Sequence, residues 1–556
     1  ARETGNQVSR ITPSAQALPA ITSGSQLLEA KAPGVVISQS GGASGSGARV
    51  RIRGGNSLSS SNEPLVIIDG VRVNNDANSS SIDVGGQNPS RLNDLKPEDI
   101  ESIEVLKGPA ATGLYGTQAA NGVIQVTTRR GVRGRTTYNA FAEGGALDNP
   151  FTFEQNTRAF GRRPNGTTTR NCQLRAIAEG VCVAQDSIQA FQPLNDDRTS
   201  PFRTGGRQRY GVSASGGAER GTYYLSGDYE DERGIYVNSG QRRVNLRSNA
   251  TASLRPDLEV TANLGYLNLN NPRPQNDNND QGYIGGGLLG STAFDEARQG
   301  YLRAGPSVLQ GIETRQTGDR LVGAGSVNYR PTSWLTFVAQ SGLDIFNRDD
   351  QNLVPFGLLE LFDPDRAQGQ RLRNKARIAT YTANASGTAT RVFGGVSSTS
   401  TLGVQYQRER NDGTFATGFN ILPGTGGLGT TNSRFAVGED IFETRLVGLL
   451  AQQQFSFRSR YYLTASVRGD NNSAFGQSVG YVYYPSANAS WVVSDESFFP
   501  KGGAVSSLRL RGAVGRSGQR PAQLAALRFF SPVAVSVGNT DVPGFTIGNI
   551  GNQNLR

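Results

Sequence analysis

The chain has 556 residues, 71 of them Gly and 18% of them charged, with no His, no Met and two Cys. Without His there is no Ser-His-Asp or Cys-His catalysis and no His-ligated metal, and two Cys exclude a Cys-rich zinc or iron–sulfur framework. The formal charge is +10, and all but five of the 56 cationic residues are Arg. These are scattered among Asp and Glu rather than gathered in a stripe, which argues against nucleic acid as a partner. No run approaches about 18 consecutive apolar residues, so a transmembrane helix is excluded while an alternating β-barrel stays open. The chain contains no Met, so neither an initiator residue nor a signal peptide is expected within it.

Residues 1–131 read as a compact mixed α/β unit. Leu27 to Lys31 ends a short helix before Pro33-Gly34, and Val35 to Ser38 and Val50 to Arg53 are short strands on either side of the Gly/Ser run Gly41 to Gly47. That run lacks the Lys-Ser/Thr ending of a phosphate-binding loop, which argues against a nucleotide. Leu65 to Ile68 is an apolar run that turns at Asp69-Gly70. Pro97-Glu98-Asp99 opens a helical turn, with acids where exposed N–H groups favour them. Ile103 to Leu106 and Val123 to Thr127 supply further strands.

From about residue 135 the pattern changes to strict alternation. Leu258, Val260, Ala262, Leu264 and Tyr266 alternate with Glu259, Thr261, Asn263 and Gly265, and the stretch from Tyr461 to Arg468 behaves alike. Period two marks strands with one apolar and one wet face. Tight turns at Gly217–Arg220, Arg255–Asp257, Arg330–Thr332 and Arg458–Arg460 take turns with long polar connections near 146–207, 271–318, 348–375 and 410–441. Short periplasmic turns opposite long extracellular loops are the asymmetry of a membrane barrel. The pattern predicts about 13 strands, the last ending near residue 516. An odd count cannot begin and end on the same side, so the barrel is expected to be incomplete in this chain.

Several blocks then carry a resemblance. In order they are Arg51-Ile52-Arg53-Gly54, Asn62 to Val71, Leu95 to Lys107, Leu114-Tyr115-Gly116 and Ala120 to Ile124. Later come Ser466 to Gly476, Tyr484-Pro485-Ser486, Ser490 to Phe499, Ser507 to Arg511 and Gly551 to Arg556. The ordered set resembles the SusC/RagA-like TonB-dependent outer-membrane transporters. At Gly108 to Ala111 the chain departs from the group's frequent Asp-Ala-Ser run. The resemblance implies a plug over residues 1–131 and the N-terminal part of a transmembrane barrel over 132–556, with roughly 22 strands in the whole protein. It implies a non-enzymatic role: TonB-dependent import of an oligosaccharide or peptide across the Gram-negative outer membrane. The partners would be TonB–ExbB–ExbD, a SusD-like surface lipoprotein and outer-membrane lipids. The TonB box and any upstream domain are expected to lie outside this chain, the long loops outside the cell and the plug toward the periplasm. A siderophore or vitamin receptor, or a surface-binding protein without transport, is the alternative.

Site residues follow from the motifs and from one physical requirement. A plug that must move cannot be welded by apolar packing, so polar contacts are expected to hold it. Arg51, Arg53, Glu63, Asp69, Glu101, Glu104 and Lys107 are the expected motif and lock residues, with Arg51 and Arg53 pairing inward barrel carboxylates such as Asp228, Glu259 or Asp344. Ser57, Ser59, Ser60, Asn62, Asn74, Asn75 and Asn78 are the expected substrate floor. Cys172 and Cys182 share a long outward loop and are expected to form a disulfide. No cofactor is expected. Asp277 to Gly282 begins like a calcium loop but lacks the closing Glu, and Asp470 to Asn472 is expected to serve a turn. Tyr223, Tyr229, Trp334, Phe455, Phe457, Tyr461, Tyr483 and Tyr484 are expected in interfacial aromatic girdles.

Overall fold

A computed structural model describes residues 8–13, 21, 23–29, 31–55, 57, 61–75, 89–107, 115–169, 172–276, 282–291, 296–476, 478–500, 505–518, 520–522, 524–538, 540–552 and 554–555. The first seven strands are β1 (Val8–Ile11), β2 (Val35–Gln39), β3 (Ala48–Ile52), β4 (Leu65–Ile68), β5 (Val71–Val73), β6 (Ile100–Leu106) and β7 (Val123–Thr128). β2 and β3 form a hairpin by themselves, and the others make one sheet in the order β1-β6-β7-β4-β5. Only β4 and β7 run parallel. β4 lies between β7 and β5, and all four of its residues are buried, as its unbroken apolar run requires. Asp69 and Gly70, at φ 48° and 81°, make the two-residue turn into β5. Leu27 and Leu28, on a 3-10 turn (Gln26–Leu28), close the core with Ile52, Val66, Ile103 and Val126.

The wall is a sheet of 13 consecutive antiparallel strands. It begins with β8 (Gly134–Leu147). The next connection holds a separate small sheet of β9 (Asn156–Arg162), β10 (Thr168–Thr169) and β11 (Ala184–Phe191), stapled by the Cys172–Cys182 disulfide. The wall resumes with β12 (Gly205–Ala218), β13 (Gly221–Arg233), β14 (Gly240–Arg255), β15 (Leu258–Arg273), β16 (Glu313–Thr332) and β17 (Leu335–Val354). It ends with β18 (Gln370–Phe393), β19 (Val396–Ile421), β20 (Thr431–Phe457), β21 (Tyr461–Asn472), β22 (Val482–Val492) and β23 (Arg509–Gly515). The sheet is open, with β8 and β23 at its edges. A second hairpin, β24 (Phe529–Val537) and β25 (Thr540–Asn549), follows it.

Two expected loops are much shorter than their sequence suggested. Residues 355–369 and 422–430 connect strands that the alternation rule stops near 348–375 and 410–441. Beyond the apolar belt both faces of these strands are polar, so the pattern fades while pairing continues through ion pairs such as Arg373–Asp349 at 2.5 Å and Arg408–Glu443 at 2.6 Å. Asp470 likewise belongs to β21 and is fully buried on its inner face, not in a turn.

The faces sort as alternation demands. On β13 Tyr223, Leu225 and Tyr229 are exposed, whereas Tyr224 and Glu230 are buried against the plug side. On β21 Tyr461, Leu463 and Val467 point out, and Tyr462, Thr464, Arg468 and Asp470 point in. Tyr484 corrects the girdle expectation: it is 3% exposed and faces inward, beside the outward Tyr483. The outer surface is thus apolar and the inner one polar, with the plug on the polar side.

Candidate functional site

The seat of the plug is built by the short segment between β5 and β6. Two 3-10 turns, Arg91–Asp94 and Pro97–Asp99, hold it close to the wall. The second begins with Pro, whose fixed φ suits a helical start, and its acids sit in the first turn. These turns present alternate charges to strands whose inward positions fall every second residue.

Lys96 donates to the Glu230 carboxylate at 2.5 Å and lies 3.2 Å from Asp228. Glu230, only 1% exposed, also accepts from Arg243 at 2.9 and 3.0 Å, and Arg207 stands 3.4 Å away. Burial pushes the Lys96 ammonium below its usual range and Arg243 adds to this, while Glu230 and Asp228 oppose it. Arg243 donates in addition to the Asn93 carbonyl at 2.9 Å. Next to it, both outer nitrogens of Arg209 donate to the Glu98 carboxylate, and its guanidinium stacks 4.7 Å from the Phe141 ring. Asp99 accepts from Tyr224 at 2.9 Å and from Ser226 at 2.6 Å.

A second cluster centres on Arg320. It donates to both oxygens of Asp344 at 2.8 and 2.9 Å, to Asp94 at 2.6 Å and to the Asn74 carbonyl at 2.9 Å. Asp344 in turn accepts the Asn74 N–H at 2.8 Å. Further along the wall, Gln340 donates to the Asp69 carbonyl at 2.5 Å and Asn249 to that of Arg129 at 2.6 Å. Arg72 lies 3.7 Å from Glu409. By contrast, among the described residues the plug's main apolar cluster gains only the partly buried Val322 from the wall. Close approach does occur at Gly342, where a Cβ would come within 2.1 Å of Val71. The contact surface is therefore bolted by charge and hydrogen bonds rather than by oil. Such pairs fix register while adding little net stability.

Most of the expected lock residues serve the plug itself. Arg51 corrects the expectation: it donates to Glu63 at 2.6 Å, twelve residues away, and not to the wall. Glu63 also accepts the Val50 N–H at 3.1 Å. Arg53, at φ 60°, donates its backbone N–H to Gly34. Glu104 stands 3.7 Å from Arg10 of β1, Lys107 donates to Ser9 at 2.8 Å and to the Pro33 carbonyl at 2.5 Å, and Glu101 is exposed. Asp69 holds Thr128 at 2.9 and 2.6 Å and also comes within 3.9 Å of Arg247 on the wall. On the barrel side Asp228 and Asp344 reach the plug, whereas Glu259 is exposed.

Of the expected floor, Asn62 closes its own loop through Ser57, with bonds of 2.9 and 2.7 Å. Asn74 belongs to the Arg320 cluster, and Asn75 is half-buried beside it. Ser59, Ser60 and Asn78 lie outside the described residues, as do Asp277 to Gln281 of the partial calcium loop. The residues that sequence reasoning missed are Asp94, Lys96, Glu98 and Asp99 on the plug and Arg209, Glu230, Arg243 and Arg320 on the wall. One signal was available: Lys96 is a rare Lys in an Arg-rich chain, set between acids inside a quoted motif.

Comparison with known proteins agrees with this architecture. Residues 1–123 match the family described as the TonB-dependent Receptor Plug Domain. TonB-dependent receptor P3 of Formosa agariphila is 24% identical over 557 residues, covering 96% of this chain and 52% of that protein. TonB-dependent receptor SusC of Bacteroides thetaiotaomicron is 26% identical over 545 residues, covering 90% and 50%. The RagAB peptide importer in its closed-closed state shares the fold with a TM-score of 0.75 at 19% identity, covering 100% of this chain and 64% of that one. The ferric citrate transporter FecA gives 0.59 at 14% identity, covering 93% and 64%. The chain spans about half the length of the curated relatives it matches. These relatives are receptors and transporters, not enzymes. A plug that matches the TonB-dependent receptor plug family, a wall of alternating strands beside it and relatives aligned along nearly the whole chain make this chain similar to the SusC/RagA-like TonB-dependent receptors, proteins of the Gram-negative outer membrane.

Proposed function

We propose that the protein imports a large solute, an oligosaccharide or a peptide, by TonB-driven displacement of the plug. The observation that carries this is the plug–wall contact: buried, polar and nearly free of apolar packing. A surface of that kind holds position yet separates without exposing oil to water, because water replaces each hydrogen bond that is lost. A passive pore has no use for such a domain. β1 is where force would enter, at an edge of the plug sheet, held by four paired residues on β6 and by the Lys107 bond to Ser9.

In this reading the turns at residues 219–220 and 394–395 face the periplasm, and the small disulfide-stapled sheet and the long connections face outward beneath a SusD-like lipoprotein. TonB, with ExbB and ExbD, supplies the pull. The peptide importer matches the fold more fully than the ferric citrate transporter does, with TM-scores of 0.75 and 0.59, which supports an organic oligomer over a chelated metal. Depleting TonB in cells that express the full-length receptor tests the mechanism. Accumulation of labelled solute should fall to the level of cells lacking the receptor. Undiminished uptake would remove active transport.

A further inference from the structure

The outward face of the wall carries a second organised surface, unrelated to the plug. On β18 the exposed side of the sheet reads Ala385, Tyr381, Arg377, Lys375, Arg373 and Arg371 in order away from the short turns. Register aligns neighbouring strands with it. Arg315 on β16 shares a row with Arg373, and Arg408 on β19 lies directly opposite Tyr381 and Arg445. Some of these cations are neutralised: Arg373 by Asp349 at 2.5 Å, Arg408 and Arg445 by Glu443 at 2.6 Å each. Arg315, Lys375 and Arg377 are exposed and make no ion pair among the described residues. Lys375 and Arg377 stand about 7 Å apart on one strand, and Arg315, two strands across in the row of Arg373, lies roughly 12 Å from Lys375 and roughly 16 Å from Arg377.

Below them the same face is apolar and hollow. A groove of about 840 Å³ opens on the outer surface, lined by the small residues Ala339, Ala385, Gly387 and Ala451 and by the larger Phe337 and Leu402. Small residues here let the surface recede where larger neighbours stand out. Tyr381 and Tyr406, with ring centroids 6.1 Å apart, separate the groove from the cations, and tyrosines of that kind mark the headgroup level. From Ala385 to Arg377 the strand rises eight residues, which at a 45° tilt gives roughly 19 Å of height. That is about one leaflet and the start of its headgroups.

We propose that this face binds a membrane lipid whose headgroup carries phosphates. Lys375 and Arg377 hold the phosphate oxygens, Arg315 extends the cationic rows further from the groove, and the groove takes the acyl chains. Charge complementarity selects the head, and continuity of the cationic rows with the apolar groove selects a lipid over a soluble anion. The site places the lipid in the leaflet opposite the short turns, and so rests on the orientation given above. It does not depend on transport.

The test uses the full-length receptor in detergent, with lipid A and enzymatically dephosphorylated lipid A as probes and native mass spectrometry as readout. The parent should retain lipid A at least tenfold better than the dephosphorylated form. The K375Q/R377Q variant should lose about tenfold to thirtyfold of that retention, at roughly a factor of five per cation near an anionic headgroup. K375R/R377K should keep it. Unchanged heat-modifiable mobility on gels shows that each variant is folded, and the single Lys375→Gln change replaces the double variant if it is not. Equal retention of the two lipids, or of parent and K375Q/R377Q, would overturn the proposal. TonB dependence of uptake is read separately, so failure here leaves the transport reading untouched, and the reverse.

Discussion

Replacing Glu230 by Ala is expected to unseat the plug while leaving the wall intact. The carboxylate is buried and shared by Lys96 from the plug and Arg243 from the wall, with Arg207 close by. Without it, the Lys96 and Arg243 cations remain buried, with Asp228 at 3.2 Å from Lys96 as the nearest compensation. Breaking a buried ion pair by removing one partner costs about 3–5 kcal/mol, because the charge left behind has lost its water and gained nothing. The backbone ladder of β13 with β12 and β14 does not involve the side chain, so the strands stay paired. The expected signature is faster proteolysis of the plug and greater entry of a large antibiotic into cells, with normal heat-modifiable mobility of the barrel. Glu259→Ala, at an exposed position on the same face, should change neither. Equal behaviour of the two variants would show that the Lys96–Glu230–Arg243 group does not hold the plug.

The second large effect belongs to the outer surface. Leu402 is 68% exposed near the middle of the apolar belt, and its neighbour Thr401 faces the lumen, where its hydroxyl meets Thr388 at 3.1 Å. From Val396 at the short Gly394-Gly395 turn to Tyr406 the strand is about as long as a tilted crossing of the hydrocarbon requires. An Arg on the lipid side at that depth costs about 2–4 kcal/mol, whereas the lumen accepts a charge. Leu402→Arg should therefore lower folding stability in vesicles by about 2–4 kcal/mol, and Thr401→Arg by less than about 1 kcal/mol. Urea titration of the full-length protein in lipid bilayers reads both. Similar losses at the two positions would contradict the assignment of faces.

Alternation and turn chemistry made most of this architecture legible before any coordinates. The four apolar residues of β4, the Asp69-Gly70 turn and the 13 wall strands all follow from local residue pattern, because each depends on neighbours within one or two turns of chain. Strand ends were harder. The outer parts of β18 to β20 are wet on both faces, and a rule built on one dry face has nothing to detect there. The ion pairs were the least accessible. Lys96 finds Glu230 across 134 residues, and Arg320 finds Asp94 across 226. Nothing local distinguishes such partners from other charges. Arg51 shows the same limit from the other side: Glu63, close in sequence, captured a cation that the motif alone assigned to the wall.

The central claim, that the plug must leave its seat for solute to pass, is tested most directly by tying it down. Gly342 on β17 lies against Val71 on β5, so Val71→Cys with Gly342→Cys places two thiols across the boundary between wall and plug. Uptake of labelled solute by cells expressing the full-length double variant is measured before and after mild reduction, beside a parent that keeps only the Cys172–Cys182 bridge. Uptake should be blocked in the oxidised variant, restored on reduction and unchanged in the parent. Equal uptake by the oxidised and reduced variant, with the cross-link confirmed by mass spectrometry, would contradict it.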